Sequence, residues 1–546
     1  MEKITLLITS FNGLSQAIYC ALKDSDYKVD IVYANSTDRD DEIKSFNPNI
    51  ILCPFLKNFI PKSIYEVYPT FVFHPGIIGD RGAYSIEWAL WKGKQNWGGV
   101  WLKANDLFDG GDIYAFDLFT LKDTTKSSIY RNEEKNLALQ ILPQFLKNIQ
   151  NNIKQPQLLN DIHDKFTVTI NWKKDSTKTI IKKINTLDSF PGVKDEILGI
   201  KCYLFGAWEE EKLKGEYPKQ ILAKRDGAIC ISTIDSAIWI THLKKLDKFK
   251  LPATYVLKDK LKGIKEDRLP LLFDKSYKTF YEISCDIKND VAYLYFNFLN
   301  GAFRAEQCIR LKYAIEYLKE SVKVIVLMGG DDFFSNGINL NILEDSKKSG
   351  EDGWSTINAI NDLIQTIIFS CDIITVSYLR RNAGAGGVFL ATACDYVIAS
   401  ATAVLNPHYK TLELSGSEYH TYSLPKRVGE QIAKELLENC LPISSNEAKN
   451  IGLIDEILNS DEELEDFCQN LIKDEDKYDD FIWNKQDYLE ENQEYIEKCK
   501  ENEIVVMDPE FWNEDSLFHT LRYDFVYKIC PIQTPQRLKF KGKNNA

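Results

Sequence analysis

At 546 residues the chain exceeds what one ordinary hydrophobic core supports, so several structural units are expected. Its 44% apolar and 27% charged residues are those of a globular protein, and a net charge of −13 argues against nucleic-acid binding, which needs a basic surface to release counterions. With no apolar run of about 18 residues and no charged-then-apolar leader, the expectation is a cytoplasmic protein that crosses no membrane. Over the first third, apolar runs at Ile4 to Ser10, Val29 to Ala34, Asn49 to Cys53, Thr70 to His74 and Gly98 to Leu102 alternate with helix-like stretches. That alternation predicts a doubly wound parallel α/β sheet over residues 1–164. Ligands of such sheets lie beyond the carboxyl ends of the strands, which makes Asn12, Phe55 and Leu56 candidate ligand contacts and places His74 at the crevice. Residues 165–246 turn to short β-rich runs such as Ala228 to Ser232 and Ala237 to Ile240, with Asp226-Gly227 supplying turn chemistry, and predict a small β domain. Residues 247–273, with Pro252, Pro270 and six lysines, read as a linker. Strands at Val291 to Phe296 and Val322 to Met328 then alternate with helices at Arg304 to Lys319 and Trp354 to Phe369 within a second α/β unit, 274–475. The last stretch, 476–546, is acidic, helical in pattern and rich in aromatic residues from Phe481 to Trp512, which suits a docked tail.

Two clusters carry chemistry. His74, directly after a strand and restrained by Pro75, stands where an imidazole can exchange protons, and Asp109, 35 residues on in Phe108-Asp109-Gly110-Gly111-Asp112, lies on a glycine-flanked turn that can approach it. A strand cap and an ordinary turn remain the alternative on spacing alone. The second cluster joins Phe334-Ser335-Asn336-Gly337-Ile338-Asn339-Leu340 to Gly384-Ala385-Gly386-Gly387. Backbone N–H groups from two such turns can converge on one carbonyl oxygen and stabilise an oxyanion. The twelve cysteines contain no C-x-x-C pair, so neither a metal site nor a disulfide framework is expected.

Residues 1 to about 245 resemble the 10-formyltetrahydrofolate-dependent formyltransferases through Phe46-Asn47-Pro48-Asn49, His74-Pro75-Gly76, Ala89-Leu90-Trp91-Lys92-Gly93 and Phe108-Asp109-Gly110-Gly111-Asp112-Ile113. The resemblance implies 10-formyltetrahydrofolate as cofactor, His74 and Asp109 as catalytic groups, and an oligonucleotide-binding-like small β domain kept here as scaffold. The family's asparagine two residues before the histidine is Val72 in this chain. Arg131 is a candidate for the folate tail or a coenzyme phosphate, with an ordinary helix-end charge as the alternative. Residues 283 to about 460 resemble the enoyl-CoA hydratase/isomerase (crotonase) family, which implies a ββα-spiral fold, a coenzyme A thioester as ligand, Asn336 and Gly386 as oxyanion donors, and Arg304 and Ile338 near the coenzyme. The hydratase carboxylates are missing: Phe389 stands at one position and the other falls near His408. What remains nearby is Ser417-Glu418-Tyr419-His420, of which Glu418 and Tyr419 are the candidates for proton handling.

The two halves in this order, with Gly79-Asp80-Arg81-Gly82 and Gly416-Ser417-Glu418-Tyr419, resemble a family of hydrogenase maturation factors. That resemblance implies formyl transfer to coenzyme A, loss of carbon monoxide from formyl-CoA, and delivery of the gas to the iron of a [NiFe]-hydrogenase, with other maturation proteins as partners. A formyltransferase acting on an amine or sugar nucleotide with an inert second half, or an assembly adaptor, fits the same residues.

Overall fold

The computed structural model describes residues 2–541. Contacts divide the chain into two units: residues up to Leu269 with Asp274–Tyr281 and the segment from Cys530 onward, and Pro270–Phe273 with Glu282–Ile529. Among the described residues, no helix is long and apolar enough to cross a membrane.

The first unit opens with a six-stranded sheet of β1 (Lys3–Ile8), β2 (Lys28–Tyr33), β3 (Ile50–Cys53), β4 (Thr70–His74), β5 (Asn96–Lys103) and β6 (Ile113–Thr120), in the order β2-β1-β3-β4-β5-β6. The first four strands are parallel, and their near-continuous apolar runs are buried, as a sheet covered on both faces requires. The run Gly98 to Leu102, expected as one more parallel strand, pairs antiparallel instead, with His74 opposite Val100. The chain re-enters at the end where β4 leaves and returns directly through residues 104–112 into β6, with no crossover helix between β5 and β6. Chain order reverses between β1 and β3, so the turns after β1, β3 and β4 share the edge where ligands of such sheets bind. Behind β4 and β5, Phe145 of the helix Lys135–Gln150 stacks on Trp101 at 4.7 Å and meets Phe71 edge-on at 5.3 Å.

A second, antiparallel sheet follows: β7 (Val193–Ile197), β8 (Ile200–Glu210), β9 (Ile221–Arg225), β10 (Ala228–Ser232), β11 (Ala237–Lys245) and β12 (Lys250–Pro252), ordered β7-β8-β11-β10-β9 with β12 beside β11. The stretch 247–273, read from sequence as a linker, contains β12 and the short helix Ala253–Leu257, because Leu251, Val256 and Leu257 are buried. Buried Arg225 ties the following residues down, donating to the Asp267 and Phe280 carbonyls, each at 2.6 Å, and to Thr279 Oγ1 at 2.8 Å. The segment from Cys530 covers edge strand β2: Tyr33 N–H donates to Thr534 Oγ1 (2.9 Å), Phe540 N–H to Asp30 (2.8 Å) and Lys539 to Glu42 (2.7 Å). Residues 530–541 therefore form a clasp with one short 3-10 turn, where sequence pattern predicted helix.

In the second unit a sheet of β13 (Ile283–Lys288), β14 (Val291–Phe296), β15 (Val324–Gly329) and β16 (Ile374–Leu379) continues after β17 (Ala383–Gly384) through β18 (Tyr396–Ala399). Following β19 (Val404–Asn406) and β20 (Ile443–Ser444), β21 (Glu456–Ile457) completes its edge. β13 and β14 form a hairpin and the other pairings are parallel, while β17, β19 and β20 make a small second sheet. Fully buried Phe296, Phe303 and Phe334 meet edge to face at 5.6–5.8 Å and anchor the turns that follow β14 and β15. Replacing Phe334 by alanine empties that cluster, and urea unfolding is expected to show a loss of about 3–5 kcal/mol.

Candidate active site

In the first unit the end of β4 delivers His74 between two carboxylates. Nε2 lies 2.9 Å from Asp80 Oδ2 and Nδ1 lies 3.4 Å from Asp109 Oδ2, with the ring almost wholly buried. Asp109 has φ 49°, a left-handed conformation that aspartate tolerates, and its carboxylate also accepts the Gly82 N–H at 3.0 Å. The geometry thus brings His74 and Asp109 together as anticipated, and adds Asp80, which the sequence reading quoted only as part of Gly79-Asp80-Arg81-Gly82. Asp80 reaches His163 Nε2 through its other oxygen at 2.7 Å, and His163 stacks on Trp88. Burial would raise the Asp80 carboxyl, but hydrogen bonds from His74, Ser85 and His163 and the charge on His74 outweigh it and hold the group below its ordinary range. His163 lies 83 residues from Asp80 on a strand-less strap, so no local pattern marked it. The strap crosses the turns that carry Asp80 and Asp109: Gln157 accepts from Gly79 N–H (2.9 Å) and donates to the Asp109 (3.0 Å) and Gly111 (2.8 Å) carbonyls.

Asn12, Phe55 and Leu56 border the same sheet edge in structural roles. Asn12 caps the helix Gly13–Asp24 by accepting from Ser15 N–H, the Phe55 carbonyl accepts from Thr9 N–H at 2.9 Å, and Leu56 packs on the core. Val72 packs with Val100, Leu102 and Ile113, leaving no carboxamide two residues before His74. Arg131 stands apart from the crevice, on a single π-helical turn, Tyr130–Glu134, facing the buried pair Asp188 and Lys250.

In the second unit Gly337 and Gly386 lie back to back: Gly337 has φ 71°, and a side chain there would come within 3.2 Å of the Gly386 nitrogen. Asn336 is not an oxyanion donor in this arrangement, because its N–H is already spent on the Gly301 carbonyl at 2.7 Å. The parallel bridge between Phe303 and Ile338 explains the shift. Phe303 N–H bonds the Gly337 carbonyl and Asn339 N–H bonds the Phe303 carbonyl, which turns the intervening Ile338 N–H to the other side. The N–H groups of Ile338 and Gly386 donate to no protein acceptor among the described residues. Ile338, expected near the coenzyme, therefore takes the place foreseen for Asn336.

A methyl group on Gly386 would collide with the Glu418 carboxyl, so Glu418 sits against this N–H pair. Its Oε2 accepts the Tyr409 hydroxyl at 2.5 Å and the Ser417 N–H at 3.2 Å. Burial raises the Glu418 carboxyl above its ordinary value, and these hydrogen bonds with the charge on His420 do not cancel it. Tyr419 differs from expectation. Its ring is buried toward Lys500 of the helix Glu475–Trp512, and its hydroxyl meets no partner among the described residues. Tyr409 instead holds the acid, and Phe389, standing where a hydratase has a glutamate, stacks on Tyr409 at 5.1 Å. Arg304 is also diverted: it begins the helix Ala305–Leu318 and, buried, pairs with Glu282 at 3.2 Å, so its guanidinium is committed internally. A cavity of about 270 Å³ opens beside Tyr409, Ser415, His420 and Thr421.

Residues 164–260 match the family described as formyl transferase, C-terminal domain, and residues 286–477 match enoyl-CoA hydratase/isomerase. Across 98% of its length the chain is 33% identical to the hydrogenase maturation factor HoxX of Bradyrhizobium diazoefficiens, covering 96% of that protein. The chain belongs to the HoxX/HypX family of hydrogenase maturation factors. The crystal structure of HypX from Aquifex aeolicus in complex with tetrahydrofolic acid superposes with a TM-score of 0.95, at 39% identity and 98% coverage of both chains. Ethylmalonyl-CoA decarboxylase of Bos taurus is 25% identical over 33% of this chain and 56% of its own length. The family accounts for the α/β architecture of both units and for a formyltransferase-type domain preceding a crotonase-like one.

Because Asp80 is held below its ordinary value, its contribution to stability is fully present above the unfolded-state value of 3.8 and disappears as the pH falls through the lower folded-state value. Asp80→Asn is therefore expected to lower the melting temperature at pH 7 and to converge with the parent only as the pH falls from 3.8 through the lower folded-state value, as calorimetry across that range would show.

Proposed function

We propose that the protein transfers a formyl group from 10-formyltetrahydrofolate to the thiol of coenzyme A at His74, and converts formyl-CoA to carbon monoxide and coenzyme A at Glu418. The observation that carries this reading is a buried acid of raised proton affinity, Glu418, set against two N–H groups that donate to no acceptor among the described residues.

At the first site the folate would lie along the edge bordered by Asn12, Phe55 and Leu56. With Nε2 donating to Asp80, His74 keeps Nδ1 facing Asp109 as the position that takes and returns a proton. Its task is light, since a thiol is already a few per cent thiolate near pH 7 and attacks the formyl carbon unaided by a strong base. As the C–N10 bond breaks, the proton held at His74 and Asp109 passes to N10. At the second site Ile338 and Gly386 N–H groups hold the formyl oxygen. Glu418, as carboxylate, removes the formyl proton while the C–S bond opens, and returns it to sulfur, with Tyr409 steadying the carboxylate throughout. The products are carbon monoxide and coenzyme A, and the gas serves the iron centre of a [NiFe]-hydrogenase.

Supplied with 10-formyltetrahydrofolate and coenzyme A, His74→Ala is expected to lose carbon monoxide release by roughly 10²–10⁴-fold, the usual size of a general acid–base contribution, yet to release the gas normally from added formyl-CoA. Glu418→Gln should do the reverse, consuming the folate and accumulating formyl-CoA. Gas detection by haemoglobin absorbance and thioester quantification by chromatography decide it, and parental gas release by Glu418→Gln would sink the second-site reading.

A further inference from the structure

The helix Glu475–Trp512 buries one stripe along its length, Ile496, Cys499, Glu503, Met507 and Phe511, at spacings of three and four residues. A glutamate in the middle of an apolar stripe is out of place for packing alone. Glu503 is almost wholly buried, and both of its oxygens are used: Oε2 accepts Tyr419 N–H at 2.9 Å, and Oε1 accepts Thr421 N–H at 2.7 Å and Thr421 Oγ1 at 2.6 Å. His420 Nδ1 stands 3.2 Å from the same Oε1 while also facing the Ser417 carbonyl at 2.9 Å. One turn-pair further on, Glu510 accepts Ser415 N–H at 3.0 Å and the Ser415 hydroxyl at 3.2 Å. The two carboxylates thus grip both ends of the turn Ser415 to Thr421.

That turn is one the chain would not hold by itself. Glu418 and Tyr419 have φ of 66° and 54°, two successive non-glycine residues in the left-handed region, which side chains disfavour. They precede the helix His420–Val428, whose first N–H groups have no partner within the helix. Glu503 accepts one of them, from Thr421, together with the N–H of Tyr419 just before the helix, and in doing so keeps Tyr419 turned away and Glu418 turned toward Gly386 and Tyr409.

We propose that Glu503, supported by Glu510, is a positioning residue for the second site, and that the C-terminal helix is a working part of that site. The inference rests on the reading of Glu418 as the group that handles the formyl proton. Glu503→Gln is the informative change. Because both oxygens accept from backbone N–H groups, an amide of the same shape opposes one N–H with another whichever way it turns, so a packing role survives the substitution and a positioning role does not. In the full-length protein given formyl-CoA, Glu503→Gln is expected to lower kcat for carbon monoxide release roughly 10- to 100-fold with KM within about twofold of the parent, since small misplacements of a reacting group cost rate rather than affinity. Formyl-CoA formation from 10-formyltetrahydrofolate and coenzyme A should stay at the parental rate. Parental kcat in Glu503→Gln, or a rise in KM alone, overturns the proposal. Glu418→Gln assayed alongside separates the two failures: loss of gas release there with parental release in Glu503→Gln removes only the positioning role, whereas parental release in Glu418→Gln removes the reading beneath it.

Discussion

A carboxyl group taken out of water must receive either hydrogen-bond donors or a proton, and both candidate sites are organised by which of the two each buried acid receives. Asp80 receives two imidazoles and stays charged. Glu503 receives two backbone N–H groups and a threonine hydroxyl. Glu418 receives one tyrosine hydroxyl and one N–H on a single oxygen, while the other faces Gly386, so its proton affinity rises. The well-partnered acids orient their surroundings; the under-partnered one is left able to exchange a proton. The proposed catalytic group and its supports differ in how completely they are satisfied rather than in residue type.

The same division appears in the backbone. Asn336 and Ile338 lie two residues apart on one turn, yet one N–H is consumed by Gly301 and the other is turned free by the bridge to Phe303. Which of them faces a ligand is a matter of register: residues two apart on a straight extended segment would point the same way, but Gly337 between them, at φ 71°, breaks that alternation. The aromatic cluster of Phe296, Phe303 and Phe334 sets that register from below, so packing several ångströms away decides which donor is available.

These two effects mark how far the residues alone could be read. Apolar periodicity made the α/β units, the small β domain and the strand ending at His74 legible, because those patterns are local. The antiparallel turn of the Gly98 run was not, as strand direction depends on the connection rather than on the strand. His74 and Asp109 were visible from glycine and proline punctuation beside them. Asp80 was visible as a motif without a role, since its partners His74 and His163 lie on different segments. Tyr409 and Glu503 carried no signal: each earns its place by meeting Glu418 or the turn that carries it across 9 and more than 80 residues. Tyr419 is next to Glu418 in sequence but not at its carboxyl in space, because two successive left-handed residues turn it away.

Losing the hydratase carboxylates changes what chemistry the glycine frame can support. Phe389 at one of those positions does more than vacate it, because it stacks on Tyr409 and fills with an aromatic face the place from which a carboxylate would activate water. At such a position the proposed thioester would meet an apolar ring rather than an activated water. An acid of raised proton affinity beside that oxyanion position, with an apolar ring where the water would stand, suits a step that removes a proton from the substrate and returns it to the leaving sulfur, with no net exchange with solvent. Formyl-CoA is a substrate for which such a step is complete in itself, since its atoms divide into carbon monoxide and the thiol without any further reactant.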